Sequence, residues 1–205
     1  MATAGADQST ALSTMARRLL IVPIVHSGVE LGSELGAARS KFLARYGEAA
    51  WAERNAAIDA YWREVSSLVM SLPIQFERLN IYQDSLPTVG ELGHLVTELA
   101  DCGSPNHQLI RQLLARGAKL IGTESIELLL AEYRLVKDGN ADGALIKASL
   151  EARDRFIAER IEATLGPEGT AILFIGAAHD VARFVKESIK VVVLTPTGWK
   201  QEAAQ

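Results

Sequence analysis

The chain has 205 residues, 48% of them hydrophobic and only 6% aromatic, which is enough to bury one sizeable core and suits one large domain better than two small ones. A net charge of −4 with no block of Lys or Arg argues against a nucleic-acid partner or an acidic membrane surface, leaving small molecules, peptides and proteins as partners. Cys102 is the only cysteine, so neither an intrachain disulfide nor a thiolate zinc cage can form, a usage that suits a cytoplasmic location.

Residues 1–15 are small, polar and aperiodic and read as a mobile tail, leaving 16–205 as a single α/β domain. Arg17 and Arg18 precede an apolar run, Leu19 to Val25, that is too short for the core of a signal peptide and reads as a strand. No segment approaches the roughly 18 continuous apolar residues of a membrane-spanning helix.

The connection that follows is the longest. It holds two helical patterns, "ELGAARSKFLARYG" and "AAWAERNAAIDAYWREVSSLVMSL", before Pro73. In the second, Trp51, Ile58, Tyr61, Trp62, Val65, Leu68 and Val69 lie largely along one stripe, and the tryptophans with Val65 suit either core packing or a homodimer contact.

A second strand, "LNIYQ" (79–83), leads to two helices, the later one opened by "SPN" and stopped at Gly117. The third strand, "KLIGT" (119–123), leads to "SIELLLAEYRLV", a polar loop at 137–143 and a long helix over 144–165. "AILFIG" (171–176) is the fourth strand, "VARFVKES" reads as a helix, and "KVVVL" (190–194) is the fifth strand. Near-continuous apolar strands alternating with helices predict a three-layer αβα fold with about five mainly parallel strands and a long helical insert after the first.

In such sheets ligands bind beyond the carboxyl ends of the strands. Four of these strands end in polar groups, "PIVHS", "IYQDS", "IGTES" and "FIGAAHD", which puts His26, Asp84, Glu124 and His179 along one edge. Imidazole nitrogen and carboxylate oxygen suit zinc, manganese or iron, so His26, Glu124 and His179 form a candidate divalent-metal set. Strand-end Asp, Ser and Thr also cap helices, and Asp84, Ser85, Thr123 and Ser125 fit that simpler role. The two histidines are not preferred caps. His94 falls off the stripe of Leu92, Leu95, Val96 and Leu99, and His107 lies in the first turn after "GSPN", so both are expected to face solvent. Arg153 sits on the stripe Ile146, Leu150, Ile157, Ile161 and Leu165, where it requires a carboxylate, an anionic substrate group or an escape to solvent. No G-x-S-x-G elbow, P-loop or complete G-x-G-x-x-G is present.

"EARDRFIAERIEATLGPEGTAILFIGAAHDV" resembles the C-terminal motif block of the TraB, ChaN and erythromycin-esterase-like superfamily, which includes the Tiki proteases. Arg153 and Asp154 match its Arg-Asn/Asp helix motif, and Gly176 and His179 its Gly-x-x-His. "PIVH" supplies the earlier histidine, with Pro23 where that motif has glycine, and Glu124 is the best counterpart of the inner strand-end glutamates, with Asp84 after it. The resemblance implies a hydrolase, metal-dependent or metal-free, of peptide, ester or related bonds.

On that reading His26, His179 and Glu124 hold a metal or share acid–base work, Asp84 is a general base or fourth ligand, and Gly176 and Arg153 meet the substrate. The alternative is a non-catalytic module that binds a small molecule or peptide in the same crevice.

Overall fold

The computed structural model describes residues 17–28, 30, 35–137 and 142–196. The tail expected over 1–15 and part of the loop at 137–143 lie outside them. Strands β1 (Arg17–Ile24), β2 (Leu79–Gln83), β3 (Lys119–Ile121), β4 (Thr170–Gly176) and β5 (Ile189–Val193) form one sheet in the order β3-β2-β4-β1-β5, with every neighbouring pair parallel. The helices are α1 (Leu35–Met70), α2 (Leu92–Asp101), α3 (Pro105–Ala115), α4 (Ile126–Lys137) and α5 (Gly143–Thr164). The architecture is the three-layer αβα fold that the alternation of apolar runs and helical periods predicts, with the long helical insert after the first strand.

The two faces of the sheet follow from the two-residue period of the strands. Leu20, Val22 and Ile24 of β1, Leu79 and Ile81 of β2, and Ile172 and Phe174 of β4 turn toward α1, α2 and α3. Leu19, Ile21, Tyr82, Ala171, Leu173 and Ile175 turn the other way, against Ile157, Ala158 and Ile161 of α5. α4 packs on α5 and buries none of its own residues fully.

Helix α1 is two helical stretches joined at Gly47, whose φ of 83° only glycine adopts without strain. Ile58, Tyr61, Trp62, Val65 and Val69 are buried against the sheet. Trp62 and Val65 therefore belong to the core, and the homodimer contact suggested for that stripe is not available to them. Ser104 caps α3 and Pro105 occupies its first turn, as "SPN" predicts.

The "VARFVKES" segment departs from its expected helix. Only a single 3-10 turn forms, Val181–Phe184, before β5 begins at Ile189. So short a segment does not repay helix nucleation unless packing holds it, and what is packed here is Val181, in the core. α2 also turns further than its stripe suggests, burying Val96 and Ala100 while Leu95 is exposed.

Candidate functional site

The lateral strand order places the strand-end residues side by side: Glu124 beyond β3, Asp84 beyond β2, His179 beyond β4 and His26 beyond β1. Each is held there by local structure. Thr123 and Glu124 donate their backbone N–H groups to the Leu86 carbonyl at 2.9 and 3.0 Å, and Thr88 N–H returns to the Glu124 carbonyl at 3.0 Å. This lays the chain after β2 against the chain after β3 so closely that a Cβ on Gly122 would overlap the Pro87 carbonyl, which only glycine permits.

Asp84 extends the β2–β4 ladder through its N–H to Phe174 O (2.9 Å), and its Oδ2 accepts from Gly176 N at 3.0 Å. The approach is tight at Gly176, where an added Cβ would stand 3.1 Å from Asp84 Oδ2. Neither Asp84 nor Glu124 caps a helix. Ser125 takes that role for α4, accepting from Leu128 N at 3.4 Å.

Arg153 is the hub of this edge. Its Nε donates to Glu124 Oε2 (3.3 Å), its Nη2 to Glu124 Oε1 (2.6 Å) and Asp84 Oδ1 (2.9 Å), and its Nη1 to Glu132 Oε2. All three guanidinium nitrogens are thus engaged by carboxylates, so the partner required of a buried arginine comes from the protein rather than from substrate. Burial acts to lower the Arg153 pKa, but Glu124, Asp84 and Glu132 outweigh it and keep the guanidinium charged. Complete burial pushes the Glu124 carboxyl above its ordinary range, with Arg153 opposing that shift.

His179 is fixed by the residue that follows Arg153. Its Nδ1–H donates to Asp154 Oδ1 at 2.5 Å, and Asp154 Oδ2 accepts from Asp180 N at 2.8 Å. Nε2 faces Asp84 Oδ2 across 3.6 Å. Burial lowers the His179 pKa, but the Asp154 hydrogen bond and the two nearby carboxylates prevail, so it stands above the ordinary histidine value. The ring borders a cleft of about 180 Å³ with Ile21, Pro23, Ile175, Gly176 and Val181. Among the described residues β5 pairs with β1 only as far as Ile21, which leaves a gap beside the end of β1 where this cleft lies. The same gap accommodates Pro23, which lacks a ladder N–H.

His26 forms a second pair with a carboxylate. Tyr61 Oη donates to Pro23 O (2.6 Å) and Trp62 Nε1 to Val25 O (2.9 Å), so α1 holds the exit of β1 from which His26 projects. His26 Nδ1–H donates to Glu30 Oε2 at 3.1 Å, and Ser27 N–H donates to the same oxygen. The Glu30 hydrogen bond, opposed by burial and aided by Asp84, raises the His26 pKa.

Glu30 also accepts from Ser104 Oγ at 2.5 Å, which commits that hydroxyl proton and requires His107 to present Nδ1–H to Ser104 Oγ at 2.7 Å. His107 is therefore buried instead of facing solvent, and burial lowers its pKa. Its first-turn position carries it inward because the start of α3 abuts Glu30. His94 faces solvent as expected.

The expected set His26, Glu124 and His179 does not fit a divalent cation as arranged. Both Glu124 oxygens lie on Arg153, and a cation there would sit against the guanidinium. Among the described residues no three His, Cys, Asp or Glu side chains are placed to share one ion. Two functional candidates lie outside the expected set. Asp154 was visible as a motif match, whereas Glu30 carried only its spacing of four from His26.

No family model, curated protein or solved structure matches the chain. Among the described residues no helix is long and apolar enough to cross a membrane.

Proposed function

We propose that the protein is a hydrolase of peptide, ester or related bonds that works by acid–base chemistry of two histidine–carboxylate pairs at the sheet edge. One observation carries the reading: the imidazoles at the ends of adjacent strands β1 and β4 each commit Nδ1 to a carboxylate, His26 to Glu30 and His179 to Asp154. A carboxylate on Nδ1 sets the tautomer, stabilises the imidazolium and leaves Nε2 for proton transfer. The motif likeness adds support, because its two halves meet in the Asp154–His179 contact and, through Asp84, in the link from Arg153 to Gly176.

The roles divide by environment. His179 is enclosed, tightly bonded and faced by Asp84, which favours its charged form and suits it as the acid that gives an Nε2 proton to the leaving group. The His26 side chain is 56% exposed, where it meets water and suits the base that takes the attacking water's proton. The water oxygen bonds to the carbonyl carbon, the bond to the leaving oxygen or nitrogen breaks, and the two protons pass through the two rings. Arg153 holds Asp84 and Glu124 in place and is a positioning residue. No step runs through a divalent ion, since Glu124 is taken up by Arg153. The single, exposed Cys102 suits a reducing, cytoplasmic setting.

The test is hydrolysis of a panel of chromogenic esters and peptide amides by the wild-type chain, His26→Ala and His179→Ala, with and without chelator. Activity in the wild type alone, indifferent to chelator, is expected. Activity that survives both substitutions overturns the reading. Activity abolished by chelator and restored by zinc, manganese or iron replaces it with the metal-dependent form.

A further inference from the structure

Six of the eleven exposed large apolar side chains among the described residues sit on one helical hairpin: Ile126, Leu130, Tyr133 and Val136 of α4, and Leu145 and Ile146 of α5. Elsewhere such residues are scattered singly, as on most protein surfaces. At about 100° per residue, Ile126, Leu130 and Tyr133 fall within one narrow stripe that runs the length of α4. Its opposite side, through Glu132 and the contact with α5, faces the body of the molecule. A helix with an inward face and a second, outward apolar stripe is built for two neighbours, and the described residues supply only one.

We propose that α4 pairs with α4 of a second copy of this chain, antiparallel, about a two-fold axis near Leu130. Charge decides for a second copy. Glu127 and Arg134 lie on the same flank of the stripe, one near each end. A two-fold axis across antiparallel helices brings like flanks together with their directions reversed, so Glu127 of each copy meets Arg134 of the other, one pair toward each end of the same side of the apolar seam. Such an isologous contact is self-complementary only when the opposite charges are placed symmetrically about its centre, as these are. Parallel pairing would put the two copies of this flank on opposite sides of the seam, so that Glu127 of one copy could not meet Arg134 of the other. Twelve residues of helix span about 18 Å, which places the contact at the small end of specific interfaces and makes the dimer a weak, reversible one.

Sedimentation equilibrium of the full chain over a wide micromolar range tests this. A reversible monomer–dimer equilibrium is expected, shifted to monomer by Leu130→Asp with the circular dichroism of the wild type retained. Glu127→Arg is expected to weaken the dimer several-fold, and the double variant Glu127→Arg/Arg134→Glu to restore it. Leu130 is exposed, so the fold tolerates its change, and the charge exchange leaves the apolar stripe intact. A wild type that stays monomeric throughout, a dimer that persists in Leu130→Asp, or a double variant weaker than the single one overturns the proposal. So does a monomer that instead partitions onto phosphatidylcholine vesicles. None of these results depends on hydrolytic activity, so the two proposals stand or fall separately.

Discussion

The two histidine–carboxylate pairs carry the same chemistry in opposite settings. His179 and Asp154 are closed in, 5% and 4% exposed at their side chains, and joined at 2.5 Å beside the Arg153 network. His26 stands largely in water and meets Glu30 at 3.1 Å. Burial makes an imidazole–carboxylate pair part of the fold, whereas exposure leaves it at the surface. Charges enclosed together must all be satisfied, and removing one leaves the others uncompensated, whereas an exposed ring can be lost with little structural effect.

The comparison breaks most visibly at Arg153. Arg153→Met strands Glu124, Asp84 and Glu132 without their shared cation and is expected to cost about 3–5 kcal/mol, read as a lower urea midpoint at unchanged slope. A loss under about 1 kcal/mol would mean that solvent reaches this edge freely.

His179→Ala is expected next, at about 1–3 kcal/mol of stability from the unpaired Asp154 carboxylate, with hydrolysis falling about 10²–10⁴-fold. His26→Ala should produce a comparable loss of hydrolysis at almost no cost in stability. Equal destabilisation by the two alanine variants would show that the two histidines are equally built into the fold.

Titration sharpens the same contrast. The folded pKa of His179 lies above its ordinary value near 6.5, so its contribution to stability is fully present below that value and fades as pH rises through the folded pKa. For His107 burial lowers the folded pKa, so its contribution is present above 6.5 and fades as pH falls toward the folded value. Proton NMR of the ring Cε1–H signals measures both, and Asp154→Asn should move the His179 midpoint downward while leaving His107 in place. The smallest expected effect is the pH–rate profile. Hydrolysis should rise as His26 loses its proton and fall as His179 does, a bell whose limbs both lie above 6.5.

Much of this edge was legible in the residues. The apolar runs marked all five strands, and their ends carried His26, Asp84, Glu124 and His179 to one side, because every strand in a parallel sheet ends on the same edge. Arg153 on an apolar helical stripe left a carboxylate, an anionic substrate group or an escape to solvent open, and among these the structure supplied three acidic partners. Illegible were Glu132 as one of those partners, the burial of His107, and the tie from Glu30 to Ser104. Those contacts span 21 to 74 positions of chain, and no local period records them.

The five strands, the helices other than the one expected over "VARFVKES", and the fold class are read from the sequence alone, since two-residue and 3.6-residue periods are written into neighbouring positions and a short-range physical preference reads them. The strand order, the gap beside β1 where β5 stops, and the assignment of Glu124 to Arg153 were decided only by tertiary structure. A buried carboxylate binds whichever cation the packing brings within reach, and that choice is made between segments far apart in the chain.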